Sequence, residues 1–376
     1  MVDIMLYGLG GVGTAFLEKA IEEYDLKKWN IVRVVDSSSE IITITSFSKT
    51  DLETIIKHKR SEGSPKLNEL QIDGTTEDAK TIMEFIMTNR LNLAIVDATA
   101  NEAMLETQIS AIKLEASVVS VNKAPYASNN ENYVRELLAS TLNGKVGIRG
   151  TVGADLGTPN ELIRILNEYK NPSKIEIEGC MSGTLSFMCD ELQKGKSYSK
   201  SVESAIKKGY PEPIPFMDFS GEDVRNKALI LARLIATKYD IGFDNIKINH
   251  SSFIGGIASD EYCAEVKNLD KHSFTQRAPE LDQAFQQRIE QAGEKALRYI
   301  ANVKYSKAEN SVSIDISLKE VDTSHGLYTL KGTDNMIVFN VDDKISSVGP
   351  GPGAGNETTR DAIYNDLNAI FYQKTA

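Results

Sequence analysis

A chain of 376 residues exceeds one ordinary compact core, so two domains are the expectation. Its formal charge of −11 argues against a nucleic-acid or anionic-membrane surface, which needs clustered Lys and Arg. No apolar run approaches the ~20 residues of a bilayer-spanning helix.

The three cysteines, Cys180, Cys189 and Cys263, contain no CxxC and leave one over, the pattern of free thiols in a reducing compartment. The opening MVDIMLYGLG has no basic segment, long apolar run or cleavage site. It reads as a strand entering a turn, not as a signal peptide, and a cytoplasmic location is expected.

Strand and helix signals alternate through the first third. Asp3–Tyr7 predicts a strand, Thr14–Glu23 a helix, and Asn30–Val35 a β-branched strand ending at Asp36. Leu91–Val96 and Ser117–Val121 predict buried strands around a helix at Asn101–Leu114, and Lys145–Ile148 a further strand. This alternation predicts a mostly parallel, doubly wound sheet. From Thr151 the texture changes. Pro159–Asn167 predicts a helix, Lys174–Glu178 a strand, Gly179–Thr184 a polar loop and Leu185–Gln193 a helix. The proline-dense Tyr210–Phe216 precedes a strong helix at Glu222–Thr237. Ser311–Ser317 and Met336–Asn340 read as strands of an open sheet with one helical face. A glycine-rich loop, Gly349–Gly355, is expected before a last helix, Thr358–Phe371.

Gly8-Leu9-Gly10-Gly11-Val12-Gly13 lies between a predicted strand and a predicted helix, the context a dinucleotide turn requires. In such a turn the first glycine makes the bend and the second admits the pyrophosphate. The third lets helix pack on strand, and the helix N-terminus attracts the anion. Asp36 would accept from a ribose 2′-OH and favour NAD. Ser37-Ser38-Ser39 could instead donate to a 2′-phosphate, with Lys57 and Lys59 able to reach back, so NAD and NADP both stay open.

Over Glu222–Thr237, helical periodicity groups Val224, Ala228, Leu231 and Ile235 on one side, with Ile230 and Leu234 extending that face. Arg225, Asn226 and Arg233 fall opposite. Asp223 and Lys227 fall on the apolar side, four residues apart. A capping box over Ser220–Asp223 accounts for the acid but not for a lysine aimed at the core. A desolvated lysine loses its proton more readily, which suits proton transfer near neutral pH. The four histidines, His58, His250, His272 and His325, form no HExxH, and no GxSxG or Walker pattern occurs. Lysine and carboxylate chemistry is left by elimination.

Further blocks follow in order: Asp97-Ala98-Thr99, Asn122-Lys123-Ala124-Pro125, Thr151-Val152-Gly153-Ala154 and Glu178-Gly179-Cys180-Met181-Ser182-Gly183-Thr184. Gly209-Tyr210-Pro211-Glu212-Pro213 then runs on through Asp218-Phe219-Ser220-Gly221 to Asp223 and Lys227, with Gly351-Pro352-Gly353-Ala354-Gly355 near the end. With the glycine turn, these blocks resemble the homoserine dehydrogenases over essentially the whole chain.

The resemblance implies reversible NAD- or NADP-dependent hydride transfer between L-homoserine and L-aspartate 4-semialdehyde, a branch-point step towards threonine and methionine. It implies that Lys123 and Lys227 stand near the reacting oxygen and handle its proton. Glu212 would hold the substrate's amino group, Asp223 would bind substrate and orient the lysine, and Asp218 would support them. Ser182 and Thr184 could offer hydroxyl and backbone donors to the substrate or the nicotinamide. Gly8, Gly10, Gly11, Val12, Gly13, Asp36 and Ser37 match the cofactor turn. Thr99, Lys123 and Gly355 match contacts near the nicotinamide.

Relatives often carry a glutamate three residues before the Val of the Thr-Val-Gly-Ala block, where it joins carbonyls around a monovalent cation. Here Arg149 takes that place, which argues against Na⁺ or K⁺ near Val152, Ala154 and Leu156, with Asp155 the residue that could compensate. Ile214 replaces an acid of the Glu-Pro loop. The expected architecture is a Rossmann dinucleotide-binding domain over 1–150, completed by 346–376, and an α+β substrate and dimerisation domain over 151–345. A short monofunctional enzyme without kinase or regulatory domain is expected, working as a homodimer on a small molecule. Two rivals remain: a dehydrogenase of a related amino or hydroxy acid on this scaffold, and a non-catalytic cofactor sensor.

Overall fold

The computed structural model describes residues 1–43, 45–61, 66–72, 75 and 92–372. The chain forms two compact units, Met1–Gly157 with Ala354–Ala376, and Thr158–Gly353.

The first unit is built on β1 (Val2–Tyr7), α1 (Gly11–Glu22), β2 (Trp29–Val35), β3 (Glu40–Ile42) and α2 (Lys49–Arg60). It continues with β4 (Leu93–Asp97), α3 (Met104–Lys113), β5 (Ser117–Ser120), α4 (Glu131–Leu142) and β6 (Val146–Gly147). Its sheet runs β3-β2-β1-β4-β5-β6, parallel except for the β2–β3 pair. All six residues of β1 and all five of β4 are buried, as strands covered on both faces must be. Ile4, Leu6, Phe16, Val34, Val96, Val119 and Ile363 share one core. The C-terminal helix, which begins at Asn356, supplies Ile363 and Leu367. It is pinned to α1 by a Lys19–Asp361 ion pair of 2.8 Å and by the Tyr364 hydroxyl, which donates to the Phe16 carbonyl at 3.1 Å.

The helix expected from Asn101 starts at Met104, because the Asn101 side chain instead accepts from the Ala103 N–H at 3.0 Å in a local turn. The strand expected at Leu91–Val96 is β4; Leu91 itself lies outside the described residues.

The second unit contains α5 (Thr158–Glu168), β7 (Lys174–Cys180), α6 (Gly183–Gln193), α7 (Tyr198–Lys207), α8 (Glu222–Lys238) and β8 (Ile246–His250). After α9 (Asp282–Ala292) come β9 (Ala296–Ser306), β10 (Ser311–Val321), β11 (Asp334–Val341) and β12 (Lys344–Pro352); the chain then returns to the first unit as α10 (Asn356–Phe371). Its sheet runs β12-β11-β7-β9-β10-β8, antiparallel apart from the β8–β10 pair. The fold is mixed α/β, with one mostly parallel, doubly wound sheet and one mostly antiparallel sheet packed on helices.

The glycine-rich stretch expected as a loop from Gly349 is instead strand as far as Pro352. It pairs with β11, Asn335 against Gly351 and Asp334 against Pro352. Its glycines permit close approach: a Cβ on Gly349 would lie 2.6 Å from the Asn335 carbonyl oxygen, and one on Gly353 would overlap the Asn335 side chain. The return to the first unit therefore begins at Ala354, later than the expected 346.

Candidate active site

The first unit gathers its candidate residues at the carboxyl ends of β1, β4 and β5, where open α/β sheets bind ligands. Gly8 has φ +94°, and a Cβ there would sit 2.7 Å from the Ala98 backbone that follows β4. A Cβ on Gly13 would lie 1.9 Å from the Gly8 carbonyl oxygen, whereas one on Gly10 would meet nothing within 4 Å. The first and third glycines thus close the turn on itself, and the second leaves its outer face open. Gly11 and Val12 begin α1, so their N–H groups have no carbonyl partner one turn earlier. A dinucleotide pyrophosphate fits this arrangement of an open backbone face and a helix N-terminus.

Asp36, after β2, is paired with Lys59 of α2 at 2.6 Å and accepts from the Ser37 N–H at 2.8 Å. Of the two lysines that could reach back, Lys57 and Lys59, it is Lys59 that lies against Asp36, so this carboxylate is not a lone acceptor.

Asp97 organises the loops after β4 and β5, a role that sequence reasoning did not give it. It is fully buried. One oxygen accepts from the Thr99 N–H (2.9 Å) and hydroxyl (2.8 Å), the other from Gln108 Nε2 (2.7 Å) and Asn122 Nδ2 (3.0 Å). Asn122 Oδ1 in turn accepts from the Ala124 N–H, which brackets Lys123. Burial pushes the Asp97 carboxyl up from the ordinary aspartate range, and its donors oppose that shift. The two-residue spacing of Asp97 and Thr99 is the signal that could have marked it. Gly355 caps the start of α10.

The second unit gathers the other set. The Lys227 side chain is buried on α8, where its Nζ donates to the Met181 carbonyl at 2.7 Å and pairs with Asp223 at 2.7 Å. Asp223 is half exposed and not on the apolar face as expected, since it stands in the first turn of the helix. The expected capping box is also absent. Gly221 occupies the cap position, and the Ser220 hydroxyl donates to the Met217 carbonyl. Arg233, expected on the solvent side, is buried with its guanidinium 4.9 Å from the Phe243 ring, because neighbours cover α8 almost all round from Lys227 to Ala236.

Ser182 caps α6, its hydroxyl accepting from the Leu185 N–H at 3.3 Å, so it sits beside the carbonyl that holds Lys227. Asp218 ties the proline-dense loop to α6. It accepts from the Thr184 hydroxyl at 3.1 Å and from the Glu212 N–H at 2.9 Å, which leaves the Glu212 side chain exposed. Burial raises the Asp218 carboxyl; both donors pull it back, and the negative charges of Glu212 and Asp223 add to the rise.

Deeper in this unit, Arg298 is fully buried and donates to the carbonyls of Leu297, Leu327, Tyr328 and Leu330 and to Gln193 Oε1. It fixes the loop after β10. His325 sits in that loop and meets Glu178 at 3.1 Å. The three cysteines are free.

A family model for homoserine dehydrogenase matches residues 162–367. The chain belongs to the homoserine dehydrogenase family. It is 29% identical to a homoserine dehydrogenase of Emericella nidulans, covering 97% of this chain and 96% of that protein. It is also 29% identical to the bifunctional aspartokinase/homoserine dehydrogenase of Haemophilus influenzae, covering 98% of this chain but only 42% of that protein's length. Among solved structures, a hyperthermophilic archaeal homoserine dehydrogenase in complex with NADPH superposes with a TM-score of 0.64 at 20% identity, covering 98% of this chain and 97% of that one. At that identity the likeness speaks for the fold.

The residues do not fit the monovalent cation that the family resemblance implies, because Arg149 places a fixed positive charge against Asp155. Among the described residues no cluster of His, Cys, Asp and Glu could hold a metal ion, and no helix is long and apolar enough to cross a membrane.

Proposed function

We propose that the chain catalyses reversible NAD(P)-dependent hydride transfer between L-homoserine and L-aspartate 4-semialdehyde. The observation that carries this reading is a buried lysine, Lys227, held between the Met181 carbonyl and Asp223 beside a loop of carboxylates. A cofactor sensor would not need it.

When bound, a nicotinamide dinucleotide would supply or take the hydride. The chain's residues then handle the charge that the hydride leaves behind. Reduction of an aldehyde carbon puts negative charge on its oxygen, and the Lys227 ammonium stabilises that oxygen and donates its proton. In the other direction the lysine takes the hydroxyl proton. Asp223 and the Met181 carbonyl fix the direction of the Nζ hydrogens, so that less reorganisation accompanies the transfer. The family resemblance gives Lys123, which the Asp97–Asn122 clamp brackets, the part of a second cation in this chemistry. Glu212 offers a carboxylate to the substrate ammonium, positioned through its own N–H by Asp218. Ser182, whose hydroxyl accepts from Leu185 and keeps its own hydrogen, donates to the substrate or the nicotinamide, while the Thr184 hydroxyl serves Asp218 and leaves that residue its backbone N–H to offer. Thr99, Lys123 and Gly355 would border the nicotinamide, and the glycine turn, Asp36 and Ser37 would hold the rest of the dinucleotide. The same reading takes the protein as a cytoplasmic homodimer; sedimentation of the purified protein tests the dimer, and fractionation of the cell tests the location.

The deciding measurement is L-homoserine-dependent reduction of NADP⁺ and NAD⁺. Turnover is expected with homoserine and to vanish in Lys227→Ala while cofactor binding persists. Undiminished turnover in that variant removes Lys227 from the mechanism. Turnover with a different hydroxy acid but not homoserine moves the substrate assignment to a related amino or hydroxy acid.

A further inference from the structure

Residues 149–157 form two 3₁₀ turns, Arg149–Thr151 and Ala154–Leu156. The Arg149 side chain folds back along them. Its Nε pairs with the Asp155 carboxylate, and its Nη2 donates to the Asp155 carbonyl at 2.9 Å. A Cβ on residue 157 would lie 2.7 Å from Arg149 Nη1; that residue is glycine at φ +77°, which leaves the guanidinium its room.

The surroundings are fitted to the same end. The Asp155 carboxylate also accepts from Asn365 Nδ2 of α10 at 2.8 and 3.0 Å. The Arg149 N–H donates at 2.8 Å to Asp366, a buried carboxylate of the same helix. The loop therefore gives the guanidinium one carboxylate and one carbonyl oxygen, the ligand types a hard cation would take from a loop. A guanidinium keeps its charge at any working pH, presents several donors in a rigid fork and cannot dissociate from the chain. A dissolved cation would have to displace it from Asp155 against direct repulsion.

We propose that the Arg149 guanidinium is the permanent cation of this loop, so that neither the loop's stability nor turnover depends on dissolved Na⁺ or K⁺. The turnover part rests on the dehydrogenase reading; the stability part does not.

The test measures melting temperature and homoserine turnover in NaCl, KCl and tetramethylammonium chloride at one ionic strength, for the wild type, Arg149→Ala and Arg149→Lys. The wild type is expected to behave alike in all three salts. Arg149→Ala should melt roughly 5 °C lower in each, and guanidinium chloride at low concentration, but not NaCl, should restore part of the loss. Arg149→Lys keeps the charge but loses the fork, and should fall between the two with no preference among the salts. It serves as the test if the alanine variant does not fold.

A wild type that melts higher in Na⁺ or K⁺ than in tetramethylammonium overturns the proposal. So does an Arg149→Ala variant that melts with the wild type, or an Arg149→Lys variant rescued by Na⁺. No homoserine turnover in any salt, with the melting pattern as expected, overturns the dehydrogenase reading and leaves the cation assignment standing.

Discussion

In the turn from Gly8 to Gly13 the proposed binding falls to the main chain. The residues matter for the side chains they lack, and the turn works because two glycines close on neighbouring backbone while a third faces open space. Around Lys227 the opposite holds. A cation, two carboxylates and two hydroxyl-bearing residues are kept in place by named hydrogen bonds and an ion pair drawn from α6, α8 and the segment before α8. The first arrangement should be sensitive to volume and indifferent to charge, the second sensitive to charge and more tolerant of volume.

The largest expected effect sits in the second arrangement. Lys227→Met keeps most of the aliphatic stem and removes the ammonium, so kcat should fall by about 10²–10⁴, the usual worth of a positioned proton-transfer group. Fluorescence titration should find cofactor affinity within a factor of about two of the wild type, since the turn does not use Lys227. A parallel loss of cofactor binding would break the division of labour between the two arrangements.

The next effect tests volume in the turn. Gly13→Ala would force a methyl group to 1.9 Å from the Gly8 carbonyl, and the backbone must move, at a cost of about 1–3 kcal/mol or more. Reduced melting temperature and lost cofactor binding are expected together. Gly10→Ala adds the same methyl where nothing lies within 4 Å, so it should melt with the wild type and weaken only the cofactor. If both variants bind cofactor normally, the turn does not hold the pyrophosphate.

How much of this was legible in the sequence follows the same line. The turn is local: strand, glycines and helix are consecutive, and backbone sterics dictate where glycine is needed. The lysine stood out because helical periodicity put it among Ile230, Leu231 and Leu234, and it is buried. Its partners were less visible. Asp223 has the right spacing, but its exposure is set by its place in the first turn; the Met181 carbonyl comes from a loop 46 residues earlier in the chain. The strand Ala296–Ser306 carries no clean alternation, because a central strand is covered on both faces and because Arg298 is buried by carbonyls drawn from a distant loop. The strand Lys344–Pro352 was hidden for the opposite reason. Its glycines read as loop, and only the pairing with β11 shows them to be sites of close backbone approach.

A smaller effect comes from Asp218, where charge and positioning can be separated. Asp218→Asn puts an amide where the Glu212 N–H and the Thr184 hydroxyl both donate, so one of them loses its acceptor. The KM for homoserine should rise by roughly tenfold, in keeping with ~1–3 kcal/mol for an unsatisfied buried group, with kcat much less changed. The pH dependence has a definite sign. The folded carboxyl is raised above its ordinary 3.8, mainly by burial. The folded state therefore holds the proton more tightly than the unfolded chain, and the stability this contributes at low pH is lost as pH rises through the folded value. Asparagine cannot titrate, so the stability difference between wild type and variant should shift against the wild type over that window. The acid limb of kcat/KM should lie above 3.8 in the wild type and move in the variant. Identical limbs would assign it to another group.

The smallest effect probes the one place where charge enters the turn. The Lys59–Asp36 pair is partly exposed, so the ion pair itself is worth about 0–1 kcal/mol and Lys59→Ala should barely change the melting temperature. Its consequence for the cofactor is larger. With Lys59 present, the end of β2 offers an ammonium to a 2′-phosphate; without it, Asp36 is left to repel that phosphate and to accept from a 2′-OH. The KM for NADPH should rise by roughly tenfold in Lys59→Ala, while that for NADH stays the same or falls. If both cofactors respond equally, Lys59 serves the fold of α2 rather than the choice of dinucleotide. The turn would then be indifferent to charge even at its ribose end.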